Sequence, residues 1–214
     1  MHKTLKLTFL SDWHVSAGVG DGFLADSVLI RDNDGFPFVS GRAMKGALRD
    51  ASRRVGLCRE DLHKAEVFFF GNNDQSLSTR DPGLVRISSA QVSPLLKAQL
   101  NGCANKEELI ADLTLLRKQT ALNDAGTAQT NSLRAIECGI QGIELFASLE
   151  VEPCPQIEEA WLEQYFAAVC AAVKNVGGNC SRGMGRCHLV IEGYKAQIKL
   201  PTNNTYLASL GGRA

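Results

Sequence analysis

The chain has 214 residues, of which 44% are hydrophobic and 21% are charged, and this fits one elaborated globular domain with a substantial core. Its 23 basic and 23 acidic residues balance, so the overall charge does not point to a polyanionic partner. No signal-peptide pattern or long apolar run is present, and we therefore expect a cytoplasmic protein without a membrane partner.

The seven cysteines are an odd number at irregular spacing, which is typical of reduced thiols rather than of a disulfide framework. Two sets of residues contain possible zinc ligands: Cys58 with His63, and Cys180 with Cys187 and His188. Neither set has the spacing of a zinc finger, so we do not expect structural zinc.

The chain begins with an amphipathic strand, because Leu5, Leu7 and Phe9 alternate with polar residues. A glycine-containing loop over residues 16–22 follows. Two short apolar runs then flank Asp32-Asn33-Asp34-Gly35, whose Asp-Gly pair is typical of a hairpin turn. The first forty residues thus predict a strand, an aspartate-containing loop and a hairpin.

A basic helix is predicted from Ser40 to about Gly56. Its offsets place cations on one side and apolar residues on the other: Arg42, Lys45, Arg49 and Arg53 against Met44, Leu48, Ala51 and Val55. Ser40 is a favourable N-cap, and Gly41 would let a ligand approach the first turn closely. Because a helix N-terminus favours anions, this segment suits a row of phosphates. Solvated surface arginines are the alternative interpretation.

Two stretches interrupt the pattern of strands and helices, and we predict them as insertions at about 57–83 and 94–140. In the first, Val67-Phe68-Phe69-Phe70 is predicted to be a buried anchor. The second contains a short helix at about 106–113 and then a polar segment, 117–137, with too few apolar residues to build core. We interpret that segment as a protruding hairpin arm, with an ordinary surface loop as the alternative.

Residues 84–92 and 141–151 are strand candidates, and the second alternates clearly between apolar and polar residues. An apolar helical stripe over residues 157–173 is predicted to stop at Gly177-Gly178. A glycine-rich loop, residues 177–186, then leads into a final strand predicted for residues 187–192, with an extension to Leu200 left open.

The order strand, helix, strand, strand, helix, strand is that of a ferredoxin-like, RRM-type domain. We therefore predict an α+β fold in which residues 1–214 form a single domain that carries the glycine-rich loop and the arm. An open antiparallel sheet with two helices on one face leaves its other face for a ligand. No RNP-like set of aromatic residues is visible, so base stacking on the sheet is not predicted.

The glycine-rich loop has neither the P-loop pattern nor the dinucleotide fingerprint, because it leads into a strand rather than a helix. Its glycines, with Arg182 and Arg186, would let the backbone surround a phosphate while the cations neutralise it. A tight connection that needs positive φ angles is the alternative. If both cationic segments bind phosphate, the helix start and the glycine-rich loop should converge on one sugar-phosphate strand.

In combination these segments resemble the RAMP superfamily of CRISPR-associated proteins, and most of all the backbone subunit repeated along the crRNA in type III effector complexes. The resemblance rests on residues 18–20, 26–31, 36–49, 117–137 and 178–185, and so covers nearly the whole chain. Phe36-Pro37-Phe38-Val39-Ser40-Gly41-Arg42-Ala43-Met44-Lys45-Gly46-Ala47-Leu48-Arg49 is the most specific of them. One departure is Ser27-Val28, where relatives usually have Asn-Pro after the aspartate.

The resemblance implies that the start of the basic helix and the glycine-rich loop bind crRNA phosphates. The residues implied for RNA binding are Ser40, Gly41, Arg42, Lys45, Arg49, Asn179, Ser181, Arg182, Gly183 and Arg186. The arm would act as a thumb that displaces a nucleotide of the guide–target duplex at regular intervals, through Leu122, Asn123, Thr127 and Thr130. The implied partners are crRNA, complementary target RNA, other copies of this chain and other CRISPR effector subunits.

Asp26 matches the loop aspartate that supports cleavage of bound target RNA in the family, so the resemblance implies a metal-dependent endoribonuclease within the assembled complex. A nucleotide unstacked by the thumb can bring its 2′-OH in line with the scissile phosphate, which a regular A-form helix forbids. Asp26 would accept the 2′-OH proton or hold a loosely bound Mg²⁺ (or Mn²⁺) completed by water and RNA oxygens. A turn-capping role is the alternative for Asp26. No organic cofactor is expected.

Two other functions stay open. RAMP-type crRNA-processing nucleases resemble this chain in fold and glycine-rich loop, and they often use a histidine as a metal-free general base, a role for which His14 is the candidate. The other is a purely architectural crRNA-binding subunit without catalytic activity.

Overall fold

The computed structural model describes residues 1–16, 18, 25–71, 83–121 and 123–210. Within these ranges the chain forms six strands and six α-helices. In chain order they are β1 (His2–Phe9), α1 (Gly41–Gly56), α2 (Glu60–Phe70), β2 (Val85–Ile87), α3 (Pro94–Asn101), α4 (Lys106–Ala111), β3 (Thr114–Gln119), β4 (Arg134–Gly139), β5 (Glu144–Val151), α5 (Glu159–Ala172), β6 (Cys187–Ile191) and α6 (Thr205–Ser209).

Four of the strands form one antiparallel sheet in the order β2-β5-β1-β6. The alternation predicted for the first strand is confirmed, because Leu5, Leu7 and Phe9 are fully buried. Thr4 and Lys6 point to the opposite face of the sheet, where side chains are exposed or half-buried. The sheet therefore has one face in the core and one face open.

The basic helix is confirmed as α1, and Ser40 caps it by accepting a hydrogen bond on Oγ from the Ala43 N–H at 3.3 Å. Its predicted apolar side, including Met44 and Leu48, is buried. Inside the core Ser52 and Tyr165 share a hydrogen bond of 2.6 Å, which satisfies both hydroxyls and fixes α1 against α5.

The first predicted insertion contains a helix that the sequence pattern did not predict, α2. Phe69 and Phe70 are buried, as predicted for this run, whereas Val67 is exposed. Phe69 lies in an aromatic cluster with Trp161 and Tyr165 of α5. Residues 72–82 lie outside the described part of the chain.

Three predicted boundaries are wrong. The helix over residues 157–173 ends at Ala172 rather than at Gly177, because Val173 is extended and Asn175 forms an antiparallel bridge with Arg186. The strand candidate 84–92 contains only the three-residue β2, followed by isolated bridges at Ala90 and Gln91. The final strand ends at Ile191, well short of the extension to Leu200. For the helix, pairing with a distant segment explains where the element stops.

The polar segment 117–137 contains a hairpin, since β3 and β4 form a two-stranded antiparallel sheet separate from the main one. The residues described between the two strands are exposed, apart from the half-buried Ser132. We call β3, β4 and their connection the arm. Among the described residues, no helix has both the length and the hydropathy needed to cross a membrane.

The predicted turn at residues 32–35 is held by hydrogen bonds and one ion pair. Asp32 accepts backbone N–H bonds on Oδ1 from Phe36 at 2.9 Å and Asp34 at 3.0 Å, and its Oδ2 pairs with Lys97 of α3. Burial opposes ionisation of Asp32, but the bonds from Lys97 and Phe36 outweigh it and lower the pKa of the carboxyl. The Lys97 ammonium also lies 5.7 Å from the Phe36 ring centroid.

Replacing Lys97 with methionine tests how much this pair stabilises the fold. At pH 7 we expect K97M to lower the free energy of unfolding by about 1–2 kcal/mol, because a hydrogen bond to a charged group is lost. The pKa of Asp32 is lowered in the folded state, so this stabilisation is present above the ordinary value of 3.8 and is lost as pH falls through the lowered value.

Urea unfolding of wild type and K97M at pH 7 and at several values below pH 4 measures both effects. The exposed arm residue Lys118 provides the control, and K118M should change stability by less than about 0.5 kcal/mol. A stability difference between wild type and K97M that is the same at every pH would contradict the assignment.

Candidate nucleic-acid interface

The glycine-rich loop is a tight turn that requires the left-handed region of backbone space. Gly177, Asn179, Gly183 and Gly185 have φ values of +100°, +55°, +80° and +71°. A Cβ on Gly177 would lie 2.4 Å from the His14 carbonyl oxygen, and one on Gly185 would lie 2.3 Å from that of Val176. Backbone packing therefore explains these two glycines without a ligand.

Gly183 differs from these two glycines. Nothing in the described structure lies within 4 Å of a Cβ built on it, although its φ is positive. It follows a short 3₁₀ turn, Cys180–Arg182, in which Ser181 and Arg182 are exposed. The tip of the loop, from Asn179 to Gly183, therefore faces open space, and it contains four of the residues predicted to bind RNA.

Residues 12–14 form one extended segment that binds the glycine-rich loop on one side and the arm on the other. On one side the Asp12 and His14 carbonyls accept bonds of 2.8 Å from the Gly185 and Gly178 N–H groups. On the other side Trp13 exchanges two backbone bonds, of 3.0 and 2.8 Å, with Gly139 of β4. The loop and the base of the arm thus become neighbours, although about 40 residues separate them in the chain.

A cavity of about 350 Å³ lies between the arm and the glycine-rich loop, and we call it the arm cavity. The described residues that line it include the amides of Gln119, Gln129 and Asn131 and the guanidinium groups of Arg134 and Arg182, but no carboxylate. Arg182 donates a hydrogen bond to Gln119 Oε1 across it. This cavity offers two cations and several neutral hydrogen-bonding groups to a ligand.

A second cavity, of about 400 Å³, lies on the other side of the same loop, at the start of β6, and we call it the sheet cavity. Lys174, Arg186 and His188 line it together with Leu10 and Gly183. No aspartate or glutamate occurs among its described lining residues. The glycine-rich loop is therefore flanked on both sides by cavities that present cations without acids.

The start of α1 packs against the chain that follows β2. A Cβ on Gly41 would lie 2.5 Å from the Ile87 carbonyl oxygen, and the Gly41 N–H donates to Ser89 Oγ at 3.2 Å. The close Ile87 carbonyl therefore already requires a glycine at this position, and the approach of a ligand to Gly41 stays a prediction. Arg42 is exposed.

Two of the predicted phosphate contacts on α1 are engaged inside the protein. Lys45 donates from Nζ to the Val85 carbonyl at 2.9 Å, and burial, with the nearby Arg49 charge, lowers its pKa. Arg49 pairs with the buried carboxylate of Glu66 and donates to the Gly71 carbonyl at 2.7 Å. Because this guanidinium is 14% exposed and its partner 7%, we leave Arg49 out of the proposed RNA contacts.

The predicted convergence of the helix start and the glycine-rich loop has no support in the contacts of the described residues. The helix start lies against residues 87–89, whereas the glycine-rich loop lies against residues 12–14 and, through Arg182, against the arm. The structure therefore joins the loop to the arm, and leaves the exposed Arg42 as a separate cationic position.

Asp26 lies beside the base of the arm. Its backbone N–H donates to the Ala135 carbonyl at 2.8 Å, and its Oδ2 accepts from the Ala135 N–H at 2.7 Å. The residue is exposed, and its second carboxylate oxygen, Oδ1, has no hydrogen bond to another described residue. Asp26 thus fastens its loop to β4, which agrees with a structural role and leaves one oxygen for chemistry.

The described residues contain no group of three or more His, Cys, Asp or Glu side chains that could hold a metal ion. Both sets considered for zinc, around Cys58 and around Cys180, fall within the described ranges. A carboxylate that acts alone also gives Mg²⁺ too few protein ligands for a preformed site. All seven cysteines are free thiols.

His14 is 5% exposed and both of its ring nitrogens are engaged. Nδ1 lies 2.6 Å from the Glu137 carbonyl, which can only accept, so Nδ1 carries the proton in this contact. Nε2 lies 3.0 Å from Ser27 Oγ. This arrangement is that of a structural histidine, and it disfavours the metal-free general-base role.

The residue that sequence analysis missed is Glu137. Its carboxylate pairs with Arg31 and accepts a hydrogen bond from the Leu29 N–H at 2.9 Å. Its backbone carbonyl accepts a hydrogen bond from His14 Nδ1. It therefore ties the aspartate-containing loop to the arm. A single acid at the end of a polar segment gives no local signal for this, because its three partners lie more than 100 residues away in the chain.

These elements define a mixed α/β protein built on antiparallel sheets, with cationic cavities on both sides of a glycine-rich loop. The family model of the RAMP superfamily matches residues 6–188, and the chain belongs to that superfamily. No curated protein sequence matches it significantly.

Two solved structures show the same fold. A chain of the Type III-B Cmr-beta complex in its apo state, determined by cryo-EM, is 12% identical with a TM-score of 0.68, over 90% of this chain and 98% of that one. A chain of Type III-B Cmr-beta bound to cognate target RNA is 10% identical with a TM-score of 0.68, over 89% and 96%.

Alanine substitutions at glycines test which positions backbone packing controls. We expect G185A to lower the free energy of unfolding by about 3–4 kcal/mol, because it combines a left-handed conformation with an overlap on Val176. G183A should cost about 1 kcal/mol, from conformation alone. G46A, in the exposed interior of α1, should stabilise by about 0.5–1 kcal/mol. Urea unfolding measures all three, and equal losses in G183A and G185A would contradict this ranking.

Proposed function

We propose that this chain is a crRNA-binding backbone subunit of a type III CRISPR effector complex, which holds the guide–target duplex and cleaves target RNA at regular intervals. Membership of the RAMP superfamily supports this, as does a fold shared with chains of Type III-B Cmr-beta, one of them bound to cognate target RNA. The observation that carries the proposal is the glycine-rich loop between two cavities that present cations without acids.

In this proposal the guide strand passes over the exposed tip of the glycine-rich loop. Arg182 and Arg186 point to opposite cavities, so phosphates on either side of the tip would each meet a guanidinium. Gly183 allows the strand to approach the backbone closely. Ser40, Gly41, Arg42 and Lys45 would contact a further part of the RNA at the start of α1, with Arg42 as its exposed cation.

We further assign a ferredoxin-like topology, with the arm as a thumb inserted into it. The sheet order β2-β5-β1-β6, with α1 and α5 as the two helices, matches the split β-α-β-β-α-β arrangement. Asn123 shapes the tip of the arm, because its Oδ1 accepts from the Ala125 and Thr127 N–H groups at 3.1 and 2.9 Å. Thr127 and Thr130 are exposed there, and Leu122 lies outside the described residues.

Asp26 would act as the base in cleavage. The RNA 2′-oxygen attacks the adjacent phosphorus, its proton passes to the free carboxylate oxygen of Asp26, and the bond from phosphorus to the 5′-oxygen breaks. That 5′-oxygen then takes a proton from water, and a cyclic phosphate is left. A thumb that unstacks one nucleotide allows the in-line geometry, and the position of Asp26 beside β4 puts the base next to that thumb.

Mg²⁺ fits this site only together with RNA. Asp26 supplies one carboxylate oxygen, and phosphate oxygens and water would complete the coordination. Such an ion would stabilise charge on the phosphate. The proposed partners also include further copies of this chain and other effector subunits, and the proposed location is the cytoplasm.

Arg182→Ala tests the guide-binding surface. We expect about 5- to 10-fold weaker binding of single-stranded guide RNA, and a salt dependence of log K reduced by about 0.7, because one phosphate contact is lost. The matched control is Gln119→Ala, which removes the same Arg182–Gln119 hydrogen bond but keeps the charge. Equal weakening in both variants would show that Arg182 acts by orienting the arm. Fluorescence anisotropy over a range of salt concentrations measures these effects.

Asp26→Asn tests the catalytic role in a complex reconstituted with guide and labelled complementary RNA. Asparagine keeps an oxygen that accepts the Ala135 N–H, so the loop stays attached while the base is lost. We expect Mg²⁺-dependent cutting to fall about 10²- to 10⁴-fold with unchanged guide binding.

Two outcomes would change the assignment. If Asp26→Ala abolishes cutting but Asp26→Asn does not, Asp26 has a structural role only, and an architectural subunit is favoured. If target cutting survives both variants, and cleavage of a crRNA precursor by the folded protein is lost on His14 replacement, the chain is a processing nuclease.

A further inference from the structure

The sheet cavity contains three residues that the sequence analysis did not assign to RNA binding: Leu10, Lys174 and His188. They come from three segments, namely the end of β1, the chain after α5 and β6. Backbone hydrogen bonds fix these segments against one another. The Leu10 N–H donates to the Arg186 carbonyl at 2.8 Å, and the Cys187 N–H donates to the Lys174 carbonyl at 3.1 Å. The cavity therefore has a rigid frame.

The side chains around the cavity form a cationic arc beside an apolar surface. Arg186 and His188 lie on the same face of β6, because Cys187 and Leu189 between and beside them point into the core. Lys174, Arg186 and His188 form no ion pair with any acid of the described chain, although most described arginines do. Leu10 directly follows the core strand β1 and is 45% exposed, which is a high exposure for a large apolar side chain.

The cationic arc suits a phosphate group, and the apolar surface beside it suits a sugar or a base. Ammonium, guanidinium and imidazole N–H donors together can bind several oxygens of one phosphate. At about 400 Å³ the cavity exceeds what a free inorganic ion needs and falls in the usual size range of small-ligand sites, ~300–1,000 Å³. Leu10 gives the remaining volume an apolar wall. Gly183 leaves the loop side open, since nothing lies near the position of its Cβ.

We propose that the sheet cavity binds one nucleotide, with its phosphate on Lys174, Arg186 and His188 and its sugar and base against Leu10. The assignment of this nucleotide to the guide strand rests on the proposed function, because the cavity is continuous with the glycine-rich loop through Gly183 and Arg186. The cavity thus adds Lys174, His188 and Leu10 to the RNA contacts.

Binding of AMP, adenosine and inorganic phosphate to the full chain, measured by isothermal titration calorimetry, tests the cavity directly. We expect AMP to bind, and the double variant K174A/H188A to bind it at least tenfold more weakly. L10A should weaken AMP binding at least threefold and leave phosphate binding unchanged. K199A, an exposed lysine outside the cavity, is the control and should bind AMP like wild type.

The alkylation rate of each cysteine, measured separately in the wild-type protein, gives a second readout. Cys180 lines the cavity and is half-buried, so bound AMP should slow its alkylation at least threefold. Cys58 and Cys103 are exposed elsewhere and serve as internal controls whose rates stay constant. Burial raises the pKa of the Cys187 thiol to about 12, so Cys187 contributes little to the signal.

The outcomes separate this proposal from the proposed function. One outcome is that guide RNA binds without slowing Cys180 alkylation and that AMP does not bind. This outcome overturns the cavity assignment and leaves the RNA function intact. AMP binding with Cys180 protection, but no guide binding under any salt condition, supports the cavity and overturns the RNA function. AMP binding that K174A/H188A leaves unchanged also overturns the cavity. If that variant does not fold, K174Q and the wild-type alkylation rates decide.

Discussion

The hydrogen bonds of residues 12–14 are the constraint on which the candidate interface depends. This short segment follows β1, and backbone hydrogen bonds attach it to the glycine-rich loop on one side and to β4 on the other. Backbone pairing of this kind does not depend on side-chain identity, so it fixes distance and orientation with little freedom. Arg182 reaches Gln119, and the arm cavity exists, because both flanks are anchored to the same three residues.

Charge is distributed so that acids stabilise the scaffold and cations remain at the surface of the loop. Glu66, Glu137 and Asp32 are largely buried in ion pairs with Arg49, Arg31 and Lys97, and none of these three acids lines either cavity. These pairs use acids that would otherwise lower the positive potential at the two cavities. A chain with a formal net charge of zero can therefore present a local surface suited to a polyanion. The overall charge carried no information about this surface.

Sequence periodicity predicted the elements whose burial is decided locally. The alternation in β1 and the two-sided pattern of α1 each required only that one face be apolar, and both are confirmed. Arg49 shows the limit of this reasoning. Its position on the polar side of α1 was correct, but its partner Glu66 lies on a different helix, 17 residues away. Periodicity shows which face a residue is on, and it does not show what packs against that face.

The same limit applies to glycine, whose absent side chain can serve either a neighbouring backbone or a ligand. Gly41, Gly177 and Gly185 all lie in segments predicted to bind phosphate, yet each is required because a carbonyl oxygen lies within 2.5 Å of its missing Cβ. Gly183 has no such neighbour, although its positive φ is already accommodated by the turn. Only the packed structure separates these cases, because the carbonyls belong to residues that the sequence places far away or in another element. The part of the glycine-rich loop that packing leaves open is therefore its tip, and the rest of the loop holds that tip in place.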